Sequence, residues 1–269
     1  NYKILVDALK TSKIFYEDES SLFLSKNMKV IAIEGDPLTL KLTYQKDLIL
    51  LEPHLSDKNI KYVKFDCSKE KIIKNFFNNY IKKNGCPEIF INASYPVTKD
   101  WKNNTFKKIK FESYKKNIEI HLNSYIWIAK NIADHMSKNK IQGSIIQLSS
   151  IYGLVAQDEN LYKKTNINEN MTYGIIKSSA IHFTRQLAAH YGKYNIRVNN
   201  LIIGGIKGHI KGSKKQQDKN FIKKFNLKVP LNRMGNSYEI PSSVIFLASP
   251  ASSYITGSNI LIDGGYSIL

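Results

Sequence analysis

The chain has little cysteine and no long apolar run. Only Cys67 and Cys86 occur among its 269 residues, without CxxC or Cys/His spacing. We therefore expect no metal site, and two reduced thiols rather than a disulfide, as in a cytoplasmic protein. No apolar run approaches the roughly 20 residues that span a bilayer. The opening residues, NYKILVDALK, lack the apolar segment of a signal peptide, so we expect no membrane partner.

Acidic residues are also few, since 40 Lys and Arg against 22 Asp and Glu give a formal net charge of +18. Such a charge raises a nucleic-acid hypothesis. The lysines are scattered among asparagines and isoleucines, however, and arginine is rare, which is typical of solvated helix faces. The densest basic run, residues 207–224, suits an acidic or phosphorylated ligand better. We expect a small polar substrate and no nucleic-acid partner.

Short apolar runs that alternate with longer helical patterns fill most of the chain. Runs that favour strands lie at residues 2–6, 28–36, 60–68, 88–94, 143–150, 195–203 and 258–265. Strands separated by helices indicate βαβ units and a parallel sheet. Several runs, such as VIAI and LII, are continuously apolar, as strands buried on both faces should be. We predict an α/β fold, a doubly wound parallel sheet with helices on both faces, in a single domain over 1–269.

Ligands of such a sheet bind outside the carboxyl ends of its strands, near the point where the strand order reverses. The predicted strands end in polar or small residues, namely Asp7, Glu34, Asp66, Asn92, Ser150 and Gly204. These ends therefore mark the edge of the sheet where we expect the functional site.

Tyr173 and Lys177 lie four residues apart on a predicted helix, and Ser149 and Ser150 end the strand before it. Hydride transfer needs a group that gives or takes the proton on the substrate oxygen. A tyrosine does this near neutral pH only when its pKa falls below about 10, and a lysine one turn away favours the phenolate. A serine hydroxyl can orient the oxygen. Alone, the pair could equally be a packed tyrosine beside a solvated lysine.

Three longer motifs turn this pattern into a family resemblance. The strand GSIIQLSSIYG carries Ser150, YGIIK carries Tyr173 and Lys177, and the C-terminal stretch runs from PLNRMG to ILIDGG. From about Cys67 onward the chain resembles a classical short-chain dehydrogenase/reductase. The resemblance implies a Rossmann-like fold, NAD(H) or NADP(H), redox chemistry at a carbonyl or alcohol carbon, and a homodimer or homotetramer. It also implies that Tyr173 is the acid/base, that Lys177 assists it and binds ribose, and that Ser150 orients the substrate.

A closer likeness is to the branch associated with flagellin modification and legionaminic-acid-type pathways, through NASYP (92–96) and SIYG (150–153). The serine-to-tyrosine segment is long, 23 positions from Ser150 to Tyr173. We interpret 153–172 as an enlarged substrate-side loop that caps a sugar or sugar nucleotide, or equally as a surface insertion. Residues 207–229 are interpreted as a basic helical lid.

The chain departs from the family's pattern in its cofactor motifs. No glycine precedes Gly35, so the family's TGxxxGxG turn is missing, and phosphate-binding backbone N–H groups lose their usual cradle. Tyr95 stands at the glycine of the NNAG-like turn, and Ile203 replaces a proline. His121 takes the place of the helix asparagine that completes a catalytic tetrad, although it could simply pack between helices.

Some cofactor contacts are implied nevertheless. Glu34 would bind ribose hydroxyls, which favours NAD over NADP, and Asp66 would face the adenine. The full set that the resemblance implies is Glu34, Asp66, Asn92, Ala93, Lys177, Gly204 and Ile206. Each strand-end residue could equally be a capping residue.

Three hypotheses follow. The first is an NAD(H)-dependent oxidoreductase in the cytoplasm. The second is a pseudoenzyme, or a binding or assembly subunit, that has lost dinucleotide binding. The third is a sugar-nucleotide-modifying enzyme whose triad acts without a freely exchanged cofactor. The retained Ser150, Tyr173 and Lys177 favour the first and third, the missing glycines favour the second, and we favour the first.

Overall fold

The computed structural model describes residues 30–34, 60–64, 67, 69–208 and 217–269, with backbone alone for the first two ranges. The strand predicted at residues 2–6, the turn after it, and Asp66 lie outside the described residues. Residues 209–216, in the middle of the predicted basic lid, lie outside them as well.

The described residues form one sheet in which all neighbouring strands are parallel, in the order β2-β1-β3-β4-β5-β6. The strands are β1 (Val30–Glu34), β2 (Ile60–Lys64), β3 (Ile89–Asn92), β4 (Ser144–Ser150), β5 (Arg197–Ile203) and β6 (Asn259–Ile262). The predicted α/β class and parallel sheet are confirmed. Strand order reverses between β1 and β3, because the chain runs outward to β2 before crossing back.

Six α-helices of the described residues accompany the sheet. They are α1 (Glu70–Asn84), α2 (Phe111–Asn117), α3 (Asn123–Lys138), α4 (Met171–Tyr191), α5 (Lys219–Asn226) and α6 (Pro241–Ala248). A wider π-helical turn, Ile118–Leu122, joins α2 to α3 without a break.

Helices cover both faces of the sheet, as predicted. Successive residues of a strand point to opposite faces, and β4 shows both environments. Ile145 packs in one core with Ile128 of α3 and Leu187 of α4. Its neighbour Ile146 packs in another core that contains Leu247 of α6. Both strand residues are fully buried, which explains why β4 reads as a continuous apolar run.

Cys67 and Cys86, the two cysteines of the chain, are both buried and are not joined by a disulfide. Burial, with a smaller contribution from Glu88, raises the pKa of Cys86 to about 12. The Cys86 thiol therefore stays protonated and behaves as a small apolar group.

Candidate active site

The carboxyl edge of the sheet brings the turn after β3 beside the ends of β4 and β5. In the register of the strands, Asn92 is level with Gln147, and Ser150 is level with Ile203. Tyr95 lies three residues after Asn92, and Ser150 lies three residues after Gln147. Sequence-distant residues of the predicted site thus meet at the edge where an open α/β sheet binds its ligands.

Helix α4 begins just before the predicted pair. The Asn170 side chain accepts a hydrogen bond from the Tyr173 backbone N–H at 3.0 Å, which caps the helix. Tyr173 and Lys177 follow one turn apart and are 6% and 3% exposed. The structure therefore does not agree with the alternative of a packed tyrosine beside a solvated lysine.

The turn after β4 rests directly on α4. The Ser150 side chain accepts a hydrogen bond from the Tyr152 N–H at 3.3 Å and begins the turn Ile151–Gly153. A Cβ on Gly153 would lie 2.8 Å from the backbone carbon of Lys177, so only glycine lets the turn come this close. The Ser149 hydroxyl also donates to the Lys177 carbonyl at 3.4 Å. The structure thus places Ser150 beside the helix that carries the Tyr–Lys pair.

The ammonium of Lys177 lies inside a polar and aromatic enclosure. It donates hydrogen bonds to the Tyr125 hydroxyl at 2.5 Å and to the Leu148 carbonyl at 3.3 Å. Its Nζ is 5.5 Å from the centroid of the Tyr173 ring and 5.6 Å from that of Tyr95. Sequence reasoning missed Tyr125, whose one signal is its position four residues after His121 on the same helical face.

His121 lies in the π-helical turn before α3 and is fully buried. Among the described residues, neither of its ring nitrogens has a hydrogen-bond partner. Burial, followed by the nearby charge of Lys177, holds the pKa of His121 well below its usual range. The imidazole is therefore neutral and keeps one donor and one acceptor. Such wider turns often occur at functional sites.

Aromatic rings surround Tyr173 on the side opposite α4. The Tyr95 ring lies 6.0 Å and the Trp101 ring 6.3 Å from that of Tyr173, centroid to centroid. Tyr95 also meets His121 edge to face at 4.6 Å. Burial, and then a charge on Tyr173, raise the pKa of Tyr95. Sequence reasoning noticed Tyr95 only as a departure and missed Trp101, which lies five residues beyond the quoted NASYP motif.

The predicted cofactor residues have unequal settings. The buried Asn92 side chain donates to the side-chain oxygen Oε1 of Gln147 at 2.9 Å and accepts from the Ser94 hydroxyl at 2.7 Å. These bonds support the capping interpretation, and Ala93 follows in the same turn. For Glu34 the structure describes the backbone position at the end of β1, while Asp66 lies outside the described residues.

Gly204 and Ile206 lie in the turn after β5. A Cβ on Gly204 would come within 2.8 Å of the Asp263 Cα, so the turn fits closely against the end of β6. Ile206 forms a parallel bridge with Gly235. Both residues therefore stand at the site edge, next to the strand that carries Ser150.

The predicted substrate-side loop and the described part of the basic segment contact each other. Asp158 pairs with Lys228 at 2.6 Å, and the Asp218 carboxylate accepts from the Asn166 N–H at 3.0 Å. The Tyr162 and Phe221 rings lie 5.7 Å apart. Residues 153–172 are thus attached to α5 and its flanks.

Within the described part of the chain, no group of three His, Cys, Asp or Glu side chains could hold a metal ion. Within the same residues, every helix is too short or too polar to cross a bilayer.

Comparison with known proteins agrees with this geometry. Residues 39–267 match the family model described as enoyl-(acyl carrier protein) reductase. The chain is 28% identical over 225 residues to the post-translational flagellin modification protein A of Campylobacter coli, covering 84% of this chain and 80% of that protein. It is 31% identical over 210 residues to the 7alpha-hydroxysteroid dehydrogenase of Paraclostridium sordellii, covering 78% and 73%.

A solved structure agrees as well. The short-chain dehydrogenase of Leptospira borgpetersenii with bound NAD+ superposes with a TM-score of 0.75 at 25% identity, covering 95% of this chain and 98% of that one. The family match covers β2 to β6, including the Ser150 strand and the Tyr–Lys helix. The chain belongs to the short-chain dehydrogenase/reductase family.

Proposed function

We propose that the protein is an NAD(H)-dependent oxidoreductase that acts on an alcohol or carbonyl carbon of a polar substrate, such as a sugar or sugar nucleotide. The observation that carries the proposal is the burial of Tyr173 and Lys177, one helical turn apart, beside the Ser150 strand end. The likeness to a hydroxysteroid dehydrogenase supports the same reaction class.

The reactive end of the site fits a nicotinamide cofactor. Lys177 offers a buried ammonium, and His121 offers two ring nitrogens without partners among the described residues. Lys177, Gly204 and Ile206 would hold the nicotinamide half, and Glu34 and Asp66 the adenosine half. When bound, the cofactor supplies or accepts the hydride. A related structure that binds NAD+ supports this choice of cofactor.

The chain's own residues then manage the substrate oxygen and its proton. The Ser150 hydroxyl donates a hydrogen bond that orients the oxygen. In the reductive direction the Tyr173 hydroxyl gives its proton to that oxygen, and the Lys177 ammonium stabilises the resulting phenolate. In the oxidative direction the phenolate takes the proton. His121, at the position of the family's asparagine, is suited to hold a water that resupplies it.

The substrate side is formed by the aromatic rings and the attached loop. Tyr95 and Trp101 flank Tyr173, and residues 153–172 dock on the α5 segment. We propose that this loop and residues 207–229 together cap a bulky polar substrate, since loops that close over a site exclude water and commit the substrate. The protein is proposed to work in the cytoplasm as a homodimer or homotetramer. Light scattering would measure the molar mass and so distinguish these two oligomeric states.

A pseudoenzyme is the second candidate, and one observation favours it. The sequence has no glycine before Gly35, where the family's phosphate-binding turn is expected. Isothermal calorimetry with NADH and NADPH separates the two candidates. Binding of NADH below the millimolar range, tighter than NADPH, supports the enzyme. If neither binds at millimolar concentration, the dehydrogenase proposal fails and the pseudoenzyme remains.

A further inference from the structure

The lysine of the Tyr–Lys pair is held by a residue that no family motif includes. Tyr125 lies in the first turn of α3 and is 1% exposed. Its hydroxyl accepts the hydrogen bond from Lys177 at 2.5 Å and donates its own hydrogen to the Leu148 carbonyl at 2.8 Å. That carbonyl also accepts from Lys177 at 3.3 Å. The ammonium thus donates hydrogen bonds to two oxygens, the Tyr125 hydroxyl and the Leu148 carbonyl, which are themselves joined by a hydrogen bond.

This arrangement fixes both the position and the direction of the ammonium. A lysine carries three donors on a flexible stem, and hydrogen bonds to two converging oxygens remove most of that freedom. The Tyr125 ring also lies 4.3 Å from Nζ, close enough for a cation–π contact. The same ammonium faces the Tyr173 ring at 5.5 Å. Tyr125 therefore determines how near the charge lies to the phenol.

We infer that Tyr125 is a positioning residue that, with the Leu148 carbonyl, holds the Lys177 ammonium beside Tyr173, where it stabilises the charge that forms on the Tyr173 oxygen during proton transfer. The inference rests on the proposed function in giving Tyr173 the role of acid/base. Tyr125 touches neither substrate nor cofactor in this role. It acts through Lys177, whose ammonium donates a hydrogen bond from α4 to the Tyr125 hydroxyl on α3.

Titratable groups from every neighbouring element face this pair. They are Tyr95 after β3, His121 and Tyr125 at the start of α3, and Tyr152 after β4, with the Cys67 thiol facing Tyr125. Burial above all raises the pKa of Tyr95, Tyr125 and Tyr152 and lowers that of His121. The three tyrosines stay protonated and the histidine stays neutral near pH 8. Because several tyrosines lie together, a measurement that observes Tyr173 alone is required.

The test is the Tyr125→Phe variant, observed by NMR of the free protein with tyrosine labelled at the ring carbon that bears the hydroxyl. The Tyr173 signal is assigned by its loss in Tyr173→Phe. We expect the Tyr173 signal to move in Tyr125→Phe, because the loosened ammonium changes its distance from the Tyr173 ring, which is 5.5 Å in the native protein. With NAD+ and an alcohol substrate, kcat/KM at pH 7 should fall about tenfold and its pH profile should move to higher pH, because the displaced charge stabilises the Tyr173 oxygen less as that oxygen takes the proton.

Tyr191→Phe is the matched control. Its hydroxyl is also bonded, to Asp134 at 2.5 Å, but lies on the far end of α4. This variant should lose stability without moving the Tyr173 signal or the pH profile. A Lys177→Met background completes the cycle, because Tyr125→Phe should shift nothing further once the ammonium is gone.

The outcomes separate the two proposals. A shifted Tyr173 signal in a protein that binds no nicotinamide cofactor supports the positioning role and removes the proposed function. Normal NADH binding and turnover with an unshifted signal in Tyr125→Phe overturns the positioning role alone. The same holds if the shift persists unchanged in the Lys177→Met background.

Discussion

The site has two sides that differ in how they are built. The α4 side consists of β4, the turn Ile151–Gly153 and α4, and it is held by close backbone contact at Gly153. The α3 side consists of residues 92–95, the π-helical turn and the start of α3. It is held by buried hydrogen bonds of the Asn92 side chain and by the Tyr95 and Trp101 rings, which pack against His121.

The two sides also differ in how closely their contacts restrict the residue type. On the α4 side a Cβ at Gly153 would overlap the helix backbone, so the motif has little freedom to vary. On the α3 side the ring centroids of Tyr95 and His121, the two residues that the sequence analysis singled out as departures, lie 4.6 Å apart. The two predicted departures therefore pack directly against each other.

The largest effect is expected on the α4 side, from Tyr173→Phe. Removing the hydroxyl that transfers the proton should lower kcat about 100- to 10,000-fold, the usual range for a general acid/base. NADH affinity should stay within about threefold, because a transition-state interaction is lost rather than uniform binding. Stopped-flow absorbance of NADH with a panel of sugars and sugar nucleotides measures both. The exposed Tyr194→Phe is the control, and a Tyr173→Phe enzyme that keeps a tenth of its turnover would contradict the assignment.

The next effect concerns the glycine contact of the α4 side. In Gly153→Ala the new methyl would lie 2.6 Å from Ile181 Cδ1 and 2.8 Å from the Lys177 backbone. We expect a loss of about 1–3 kcal/mol in the free energy of unfolding, as for an overpacked core, and reduced turnover because Lys177 is displaced. Urea unfolding gives the first quantity.

Gly192→Ala is the matched control for that substitution. Gly192 has a helical φ of −55° and open space around it. Alanine there should leave stability unchanged or raise it by about 0.5 kcal/mol. Equal losses at positions 153 and 192 would show that the contact at Gly153 is not what holds the turn.

The α3 side is tested at its buried amide. Asn92→Ala would remove the donor to the Gln147 side-chain oxygen and one acceptor of the Ser94 hydroxyl, at a cost of about 1–3 kcal/mol. The Ser94 hydroxyl keeps the Ser124 hydroxyl, 3.1 Å away, as a partner. The exposed Asn139→Ala should change stability by less than about 0.5 kcal/mol. NADH affinity of folded Asn92→Ala should stay within about threefold. Unchanged stability with tenfold weaker NADH binding would instead make Asn92 a direct cofactor ligand.

The smallest effect is a pH dependence of the α3 side. Burial lowers the pKa of His121 below the unfolded value of about 6.5. The unfolded state therefore binds more protons below that pH, and stability present above pH 6.5 is lost as the pH falls. The slope should reach about 1.4 kcal/mol per pH unit. Urea midpoints at pH 7 and pH 5 should show it in the native protein and in His182→Asn, but not in His121→Asn.

Much of the fold could be predicted because its signals are local. The apolar runs at 88–94, 143–150 and 195–203 became β3, β4 and β5, with ends displaced by a few residues. The Tyr173–Lys177 spacing and the preceding serine predicted one face of α4 and one strand end. The strand positions and the Tyr–Lys face both depend on the residue spacing within a single strand or helix, and this spacing can be read directly from the sequence.

The aromatic neighbours could not be predicted in the same way. Trp101 and Tyr95 meet Tyr173 across more than 70 residues of sequence, and no period connects them. Asn92 was expected to contact the cofactor, and in the structure its side chain donates a hydrogen bond to Gln147 of the adjacent strand. Which strands are adjacent is decided by the packing of the whole sheet.

The sequence by itself determined the alternation of strands and helices, the family, and the turn-length spacing that puts Tyr173 and Lys177 on one helical face. Only the tertiary structure decided what those side chains meet. It seats the Lys177 ammonium on Tyr125 and Leu148 and buries His121 between rings. The reason is that a buried polar group must find its partner among whatever the fold brings near, and that neighbourhood is set by the order and register of the strands.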